Sequence, residues 1–310
     1  MPKINANILP KRIGGKNPAT SYLEDLGSRR SAVTMTSCLN RIAGLYGFDS
    51  FLDCDWCALR RPHIQNIIKT LKNDGLAPST INVYLACLKG VAKEAWSSDL
   101  MPQSAYLKIS SMGAIRYERL PVGRSLTYRE CKRLLATCDD GTVVGKRDKA
   151  ILAMMMGCGL RRAEVVELNL DNWDSKTLTI QLIGKGNKER KVFLPTDLEE
   201  IIKDWLMVRG SDAGPMFPRL RPGTTDLFEK KHMNPCSIYR LLQGRSFKAR
   251  LRGLTPHDLR RTFATRMLEN GCDLFLLQRA MGHSTVATTA RYDRRGERSR
   301  ERVCRNLKFL

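Results

Sequence analysis

Acidic residues and long apolar segments are both scarce in this sequence. Its 310 residues include 31 Asp and Glu against 53 Lys and Arg, which gives a formal net charge of +22. No apolar run approaches the roughly 20 residues that a helix needs to cross a bilayer. The basic N-terminus also lacks the apolar core of a secretory signal. The sequence therefore predicts a cytoplasmic protein with no membrane partner.

Paired cysteines and clustered metal ligands are lacking as well. The 10 cysteines are scattered along the chain without regular spacing, which favours reduced thiols over a disulfide framework. Only Cys54 and Cys57 have the spacing of a ligand pair. A structural zinc site would need a second pair or two nearby histidines, and His63 is the one candidate. We therefore expect no bound metal.

The excess of basic residues indicates a polyanionic partner. Lys and Arg side chains that neutralise phosphates release condensed counterions, so a strongly basic surface favours nucleic acid. Two other interpretations stay open, a charged surface that serves solubility and binding to a membrane surface. The second would need a basic amphipathic helix with an aromatic face, and no such helix stands out.

The chain length favours two domains, and the pattern of Pro and Gly suggests where they divide. Helical periodicity marks three segments in the first half, which begin near Ser31, Pro62 and Pro78. The predicted segments are a flexible basic N-terminus (1–20), a helical DNA-binding domain (21–110), a linker (111–124), a mixed domain (125–297) and a C-terminal tail helix (298–310).

One face of the third helix is a candidate DNA contact. Its polar side carries Thr80, Asn82, Lys89 and Lys93, which suit a helix that lies against phosphates. A solvated polar face explains each of these residues about equally well. The assignment therefore stays a weak one.

The second half combines helices with one clear β signal. Thr127 and Glu130 have the spacing of a capping box, and the apolar run from 148 to 158 predicts a buried helix. The segments 178–183 and 192–195 read as two strands joined by a basic turn that contains glycine, which predicts a hairpin. Helical patterns return after Pro235.

Phosphoryl transfer without a metal calls for a particular set of side chains. Fixed cations must meet the charge that spreads over the phosphate oxygens, and arginine donates to phosphate with a planar fork. A nucleophile and a general acid complete the set. His257 and Arg260 are three residues apart, so they share one face at the start of a predicted helix.

Four short motifs supply this set in a fixed order along the second half. They read GLRRAE, GKGNKER, HDLRRT and MGH, and a tyrosine follows the last motif after nine residues. In order and spacing they resemble the tyrosine recombinase or phage-type integrase family, in particular its Xer-like site-specific recombinases. The resemblance implies six catalytic residues, which are Arg161, Lys185, His257, Arg260, His283 and Tyr292.

Three departures from the family pattern leave alternatives open. MGH stands where LGH is commoner, which keeps an apolar residue before the glycine. Arg261 stands where Xer-type members often have histidine, so it competes with Arg260 as the phosphate ligand. Lys188 lies near Lys185 on the same predicted turn and is a rival to it.

The resemblance also implies a fold and a reaction. The expected fold is mainly α with a small antiparallel β-sheet, in which a helical (SAM-like) core-binding domain and a catalytic domain form a C-shaped clamp on DNA. Tyr292 would attack a DNA phosphodiester and form a 3′-phosphotyrosyl intermediate. Strand exchange would then proceed through a Holliday junction, with neither cofactor nor metal.

The implied partners are double-stranded DNA with a specific recombination site and three further copies of this chain, which form a homotetramer. We expect the protein to be associated with the nucleoid. The tail 298–310 would dock on a neighbouring subunit, although packing on its own domain is an alternative. Integration, excision and resolution share one chemistry, so the sequence does not distinguish them.

Two other functions compete with recombination. A type IB topoisomerase uses similar residues but rejoins the same strand. A non-enzymatic DNA-binding protein on the same scaffold would be indicated by loss of Tyr292 or of either arginine, and all three are present.

Overall fold

The computed structural model describes residues 9–12, 14–116, 123–184, 188–221, 228–293 and 304–305. The chain divides into two compact units, 1–120 and 121–310. Each unit has a hydrophobic core of its own. We describe the units separately.

The first unit is built around one long helix. Its described residues form five α-helices, which are α1 (Pro18–Glu24), α2 (Arg29–Leu45), α3 (Arg61–Asn73), α4 (Pro78–Ser97) and α5 (Gln103–Ser110). The long helix α4 packs against each of the other four. It buries Ile81, Leu85, Leu88 and Val91 at helical spacing, which is why this apolar side becomes the centre of the unit.

Part of the N-terminal stretch 1–20, which the sequence predicts to be flexible, contacts the first unit. Leu9 is fully buried in the core of the first unit, and the Arg12 amide donates to the Asp53 carbonyl at 2.9 Å. Asn17 accepts from the Ala19 amide and so caps α1. One apolar side chain and one capping residue are enough to fix this polar segment on the unit. Residues 1–8 and 13 lie outside the described residues.

The second unit contains eight described helices and two small sheets. The helices are α6 (Tyr128–Ala136), α7 (Val143–Gly157), α8 (Arg162–Glu167), α9 (Glu199–Arg209), α10 (Pro235–Lys248), α11 (Pro256–Glu269), α12 (Leu274–Met281) and α13 (Val286–Ala290). The strands are β1 (Trp173–Asp174), β2 (Thr179–Gly184), β3 (Lys188–Phe193), β4 (Pro218–Leu220) and β5 (Phe228–His232).

The sheets are antiparallel throughout. Strands β1, β2 and β3 pair in sequence order, and β4 pairs with β5. Thr179 opposes Phe193 and Gly184 opposes Lys188, so β2 and β3 form a hairpin. The predicted fold class, mainly α with a small antiparallel sheet, is confirmed. The predicted hairpin is present, but its second strand is Lys188–Phe193 rather than 192–195, so basic residues that the sequence assigned to the turn belong to the strand.

Helix α7 is the centre of the second core. It packs against α6, α8, α9 and α11, and its three consecutive methionines 154–156 are buried. Its one buried acid, Asp148, accepts two hydrogen bonds from Arg245 of α10, at 3.0 and 2.8 Å. Burying a carboxylate is costly unless it is paired, so this ion pair makes the α7–α10 contact specific.

The segment that leads into α6 is attached to α11. Thr127 and Glu130 form the predicted capping box at the start of α6. The Arg124 amide donates to Asp258 at 2.9 Å, and the Leu126 amide donates to the Thr262 hydroxyl at 2.8 Å. The C-terminal end of the predicted linker 111–124 is therefore bonded to α11, the helix that carries His257 and Arg260. Residues 117–122 lie outside the described residues.

Candidate active site

The site is assembled around the first two turns of α11. Thr255 and Asp258 form a capping box there, since the Thr255 amide and hydroxyl both donate to Asp258, at 2.8 and 2.7 Å. This start places His257, Arg260 and Arg261 on adjacent turns. Both arginines are almost completely buried. Two cations in a core require acceptors or aromatic partners, and the contacts of each show its role.

Arg260 fills the space between the ends of α7 and α12. Its guanidinium donates to the carbonyls of Gly159 and Met281 and, at 3.0 Å, to His283 Nε2. Burial, with the neighbouring Arg161 charge, lowers the pKa of Arg260 to about 10. The group is still a full cation at neutral pH, and the nearest acid among the described residues is Glu164, at 4.0 Å. It is therefore prepared to bind an anion.

Two glycines make this arrangement possible. Gly159 and Gly282 have φ of +61° and +60°, a left-handed conformation that ends α7 and α12 and turns the chain sharply. A Cβ on Gly159 would lie 2.4 Å from Phe263, and one on Gly282 would lie 2.7 Å from the Arg190 guanidinium. The glycines of the GLRRAE and MGH motifs thus allow the chain to turn sharply and allow Phe263 and Arg190 to pack against the backbone.

His283 follows Gly282 and is bonded at both ring nitrogens. Its Nε2 meets Arg260, and its Nδ1 lies 2.9 Å from the Thr289 hydroxyl. Burial, followed by the Arg260 and Arg161 charges, lowers the pKa of His283 to about 4. The imidazole is therefore neutral at pH 7.

Tyr292 lies at the centre of this group. Its hydroxyl is 2.9 Å from His257 Nε2, and its ring stacks on His283 with 5.7 Å between centroids. The guanidinium carbon of Arg261 lies 5.4 Å from the centroid of the same ring, within range of a cation–π interaction. Arg261 is thus a contact of the tyrosine ring, whereas Arg260 binds His283 and two carbonyls.

The short helix α13 connects His283 with Tyr292. Thr285, in an extended conformation, is the residue before α13, and Ser284 precedes it. The Thr285 hydroxyl bonds to the Thr288 hydroxyl at 3.0 Å and caps no backbone amide. Adjacent hydroxyl residues are equally good cap candidates by sequence, so only the backbone conformation distinguishes them.

Arg161 is the exposed arginine of the site. It donates to Glu164 at 2.7 Å and to the Gly282 carbonyl at 3.3 Å, and its side chain stays 43% exposed. This exposure leaves guanidinium donors accessible to a ligand from solvent.

Glu164 and Arg190 form a contact that the sequence did not predict. Arg190 of β3 donates two hydrogen bonds to Glu164, at 3.0 and 2.8 Å. Burial on its own would raise the pKa of Glu164, but hydrogen bonds from Arg190 and Arg161 outweigh it and lower the pKa. Glu164 therefore stays an anion that orients two arginines. The acid three residues after Arg161 was a visible signal, whereas nothing in the basic hairpin singled out Arg190.

Two predicted lysines cannot be placed. Lys185 lies outside the described residues. The backbone of Lys188 belongs to β3, but its side chain is not among the described parts. The choice between these two lysines stays a prediction.

The four polar residues of α4 differ in their contacts. The Asn82 amide side chain donates to the Ile115 carbonyl at 3.0 Å and accepts from the Ile115 amide at 2.8 Å. Lys89 donates to the Ser110 carbonyl at 2.8 Å and to that of Met112. These two side chains hold the segment after α5. Thr80 and Lys93 are exposed and remain the better candidates for a ligand contact.

Among the residues that the structure describes, no group of three or more His, Cys, Asp and Glu could hold a metal ion. The described helices also include none long and apolar enough to cross a membrane. The site itself presents arginine, histidine and tyrosine side chains: buried and exposed cations that can bind an anion, beside a hydroxyl that contacts an imidazole.

Comparison with known proteins identifies the family of this chain. The sequence model of the phage integrase family matches residues 124–298, more than half of the chain. The chain belongs to the phage integrase family. All five site residues described above lie inside the matched part of this integrase-family chain.

Individual members of the family are similar over nearly the whole length. Tyrosine recombinase XerC of Chromohalobacter salexigens is 30% identical over 282 residues, which cover 88% of this chain and 89% of the relative. A lambda integrase dimer bound to a COC′ core site matches with a TM-score of 0.67, at 13% identity, over 89% of this chain and 93% of that one. The Tn1549 transposon integrase in complex with transposon right end DNA matches with a TM-score of 0.66, at 17% identity, over 94% and 99% of the two chains. These two structures support the fold.

Proposed function

We propose that this protein is a site-specific DNA recombinase that cuts and rejoins DNA strands through a covalent bond to Tyr292. The observation that carries the proposal is the position of the Tyr292 hydroxyl. It lies 2.9 Å from His257, beside a ring stack and two buried arginines. A tyrosine held in a cationic site, next to an imidazole, suits attack on a phosphate.

The arginines would bind the scissile phosphate. Arg161 is partly exposed and Arg260 is buried, so Arg161 can bind a non-bridging oxygen near the surface of the site and Arg260 can bind one deeper inside it. The Arg161 guanidinium donates a hydrogen bond to Glu164 at 2.7 Å. This bond restricts the direction in which the guanidinium can meet a phosphate.

The chemical step needs one proton removed and one supplied. The Tyr292 oxygen forms a bond to phosphorus and loses its proton, while the bond to the 5′ oxygen breaks and that oxygen takes up a proton. Burial, followed by the Arg261 and Arg260 charges, lowers the pKa of His257, so its ring is neutral and can accept the tyrosine proton. Lys185 is proposed to protonate the leaving oxygen.

Rejoining follows from the same bond. The phosphotyrosyl link retains the energy of the phosphodiester, so a 5′ hydroxyl of a second duplex can attack it without ATP or a metal. We propose that exchange passes through a Holliday junction in a homotetramer on two duplexes. Within each chain, 21–110 and 125–297 would act as the DNA-binding and catalytic domains. The recombinase names of the relatives favour this over relaxation by a topoisomerase.

A nicked suicide substrate tests the proposal. Cleavage releases a short strand that diffuses away, so the covalent adduct accumulates and is seen on a denaturing gel. The adduct should form with the full chain and vanish in Tyr292→Phe, which removes only the hydroxyl. An adduct that persists in this variant would show that another residue is the nucleophile.

The C-terminal tail 298–310 is proposed to dock on a neighbouring subunit. The same assay tests this, because deletion of the tail should leave adduct formation largely intact and reduce the yield of recombinant DNA. Equal loss of both would indicate packing of the tail on its own domain.

A further inference from the structure

Thr289 contacts both functional groups that flank α13. Its hydroxyl lies 2.9 Å from His283 Nδ1, and its carbonyl accepts from the Tyr292 amide at 2.9 Å. The residue is fully buried. It therefore connects the histidine ring to the backbone of the tyrosine, in addition to the direct stacking of the two rings.

The partners of His283 determine its tautomer. A guanidinium has donors only, so Nε2 accepts from Arg260 and carries no proton. The neutral ring must then carry its proton on Nδ1, which donates to the Thr289 hydroxyl. In the protein without DNA, Thr289 is therefore the acceptor.

A bound phosphate reverses these requirements. Phosphate oxygens are acceptors, so His283 can bond to one only if Nε2 carries a proton. A neutral ring then has a bare Nδ1, which needs a donor. The Thr289 hydroxyl can rotate and donate, whereas a carbonyl or carboxylate in its place could only accept. One proton leaves Nδ1 and one arrives at Nε2 by exchange with water, because the ring is only partly buried.

We propose that Thr289 is a positioning residue that holds His283 in both tautomers and keeps it in register with Tyr292. The part of this proposal that involves phosphate rests on the proposed function. The part that concerns the DNA-free ring does not.

Three variants separate the hydroxyl from its surroundings. Thr289→Val removes the hydroxyl at nearly constant volume, and Thr289→Ser keeps it. Thr288→Val is the matched control, because Thr288 is an exposed threonine of the same helix whose hydroxyl bonds to Thr285 at 3.0 Å. A denaturant midpoint for each variant reports whether the fold has changed.

The first measurement is nitrogen NMR of the imidazole rings in DNA-free protein. The chain has 4 histidines, so His283→Gln assigns the His283 signals by their disappearance. We expect the Nδ1-protonated tautomer in the wild type, Thr289→Ser and Thr288→Val, and a changed Nδ1 signal in Thr289→Val. A wild type with its proton on Nε2, or an unchanged spectrum in Thr289→Val, would overturn the proposal.

The second measurement compares DNA affinity with the single-turnover rate of adduct formation. Loss of one hydrogen bond to a catalytic group should slow Thr289→Val about tenfold, with little change in Kd. Thr289→Ser should recover most of the rate, and Thr288→Val should match the wild type. Equal losses in Thr289→Val and Thr289→Ser would mean that packing rather than the hydroxyl matters, which overturns the proposal. If the wild type forms no adduct, the proposed function fails, while the NMR result still decides the DNA-free contact.

Discussion

The two units use their polar side chains in opposite ways. In the first unit, Asn82 and Lys89 bond to backbone groups within 33 residues of themselves and hold a nearby segment. In the second unit, Arg260 bonds to carbonyls and a histidine from the ends of two other helices, one of them 101 residues away in sequence. A pattern of polar residues on one helix is therefore weak evidence for a functional site. A buried cation that contacts distant parts of the chain is stronger evidence for one.

The largest expected effect concerns Arg260. Arg260→Lys keeps the charge but removes the planar fork that reaches Gly159, Met281 and His283 together. We expect adduct formation to slow by about 100-fold or more, because loss of an oxyanion-type donor costs this much. Single-turnover cleavage of the suicide substrate measures the rate. A decrease in the rate of less than about threefold would lie outside the range expected for such a donor. It would show that the contacts of Arg260 stabilise the fold rather than the reaction.

The next effect contrasts two residues of α4. Asn82→Ala removes two hydrogen bonds to Ile115 and should lower the free energy of unfolding of the first unit by about 1–2 kcal/mol. Lys93→Ala, on the exposed side, should leave stability unchanged. It should weaken DNA binding across sequences and reduce the salt dependence by about one ion.

Urea denaturation and salt-dependent titration with DNA measure these two changes in the full chain. If Asn82→Ala weakened DNA binding without a loss of stability, its contacts in the first unit would not describe its main role. The first unit would then also use a bonded polar side chain for DNA binding, and the difference between the two units would not hold.

The smallest effect is the pH dependence of the α6 cap. A hydrogen bond from Arg124 is the main cause that lowers the pKa of Glu130 from 4.5 to about 2, with further bonds from Thr127. Because the folded-state pKa is depressed, the stabilisation is fully present above pH 4.5 and is lost as the pH falls toward 2. Glu130→Gln should cost about 1 kcal/mol at pH 7.

Denaturation of the wild type and Glu130→Gln at pH 7 and pH 3 measures this change. The difference in stability between the two proteins should shrink at the lower pH. A difference that stayed constant, or grew, would contradict the assignment of the charged carboxylate to the cap.

Local sequence signals predict much of the secondary structure. The proline starts of α3 and α4, the capping box of α6 and the hairpin of β2 and β3 each depend on residues within a few positions of one another, so the sequence predicts them directly. The sequence did not predict that Leu9 is buried in the core of the first unit, because a single apolar residue in a polar segment has no periodicity.

The family was predicted from motif order and is confirmed by the match to the phage integrase family. The roles of individual residues stay predictions. The structure brings Arg161, His257, Arg260, His283 and Tyr292 together, while Lys185 lies outside the described residues.

The sequence by itself determined the chemical groups, their order and the nine-residue spacing from His283 to Tyr292. Only the tertiary structure decided their partners: Arg261 under the tyrosine ring, Arg190 on Glu164 and Thr289 on His283. The spacing of residues along a helix determines only which side chains lie on the same face. A hydrogen bond requires a match within tenths of an ångström, and only the packing of α8, β3, α11 and α13 together supplies that.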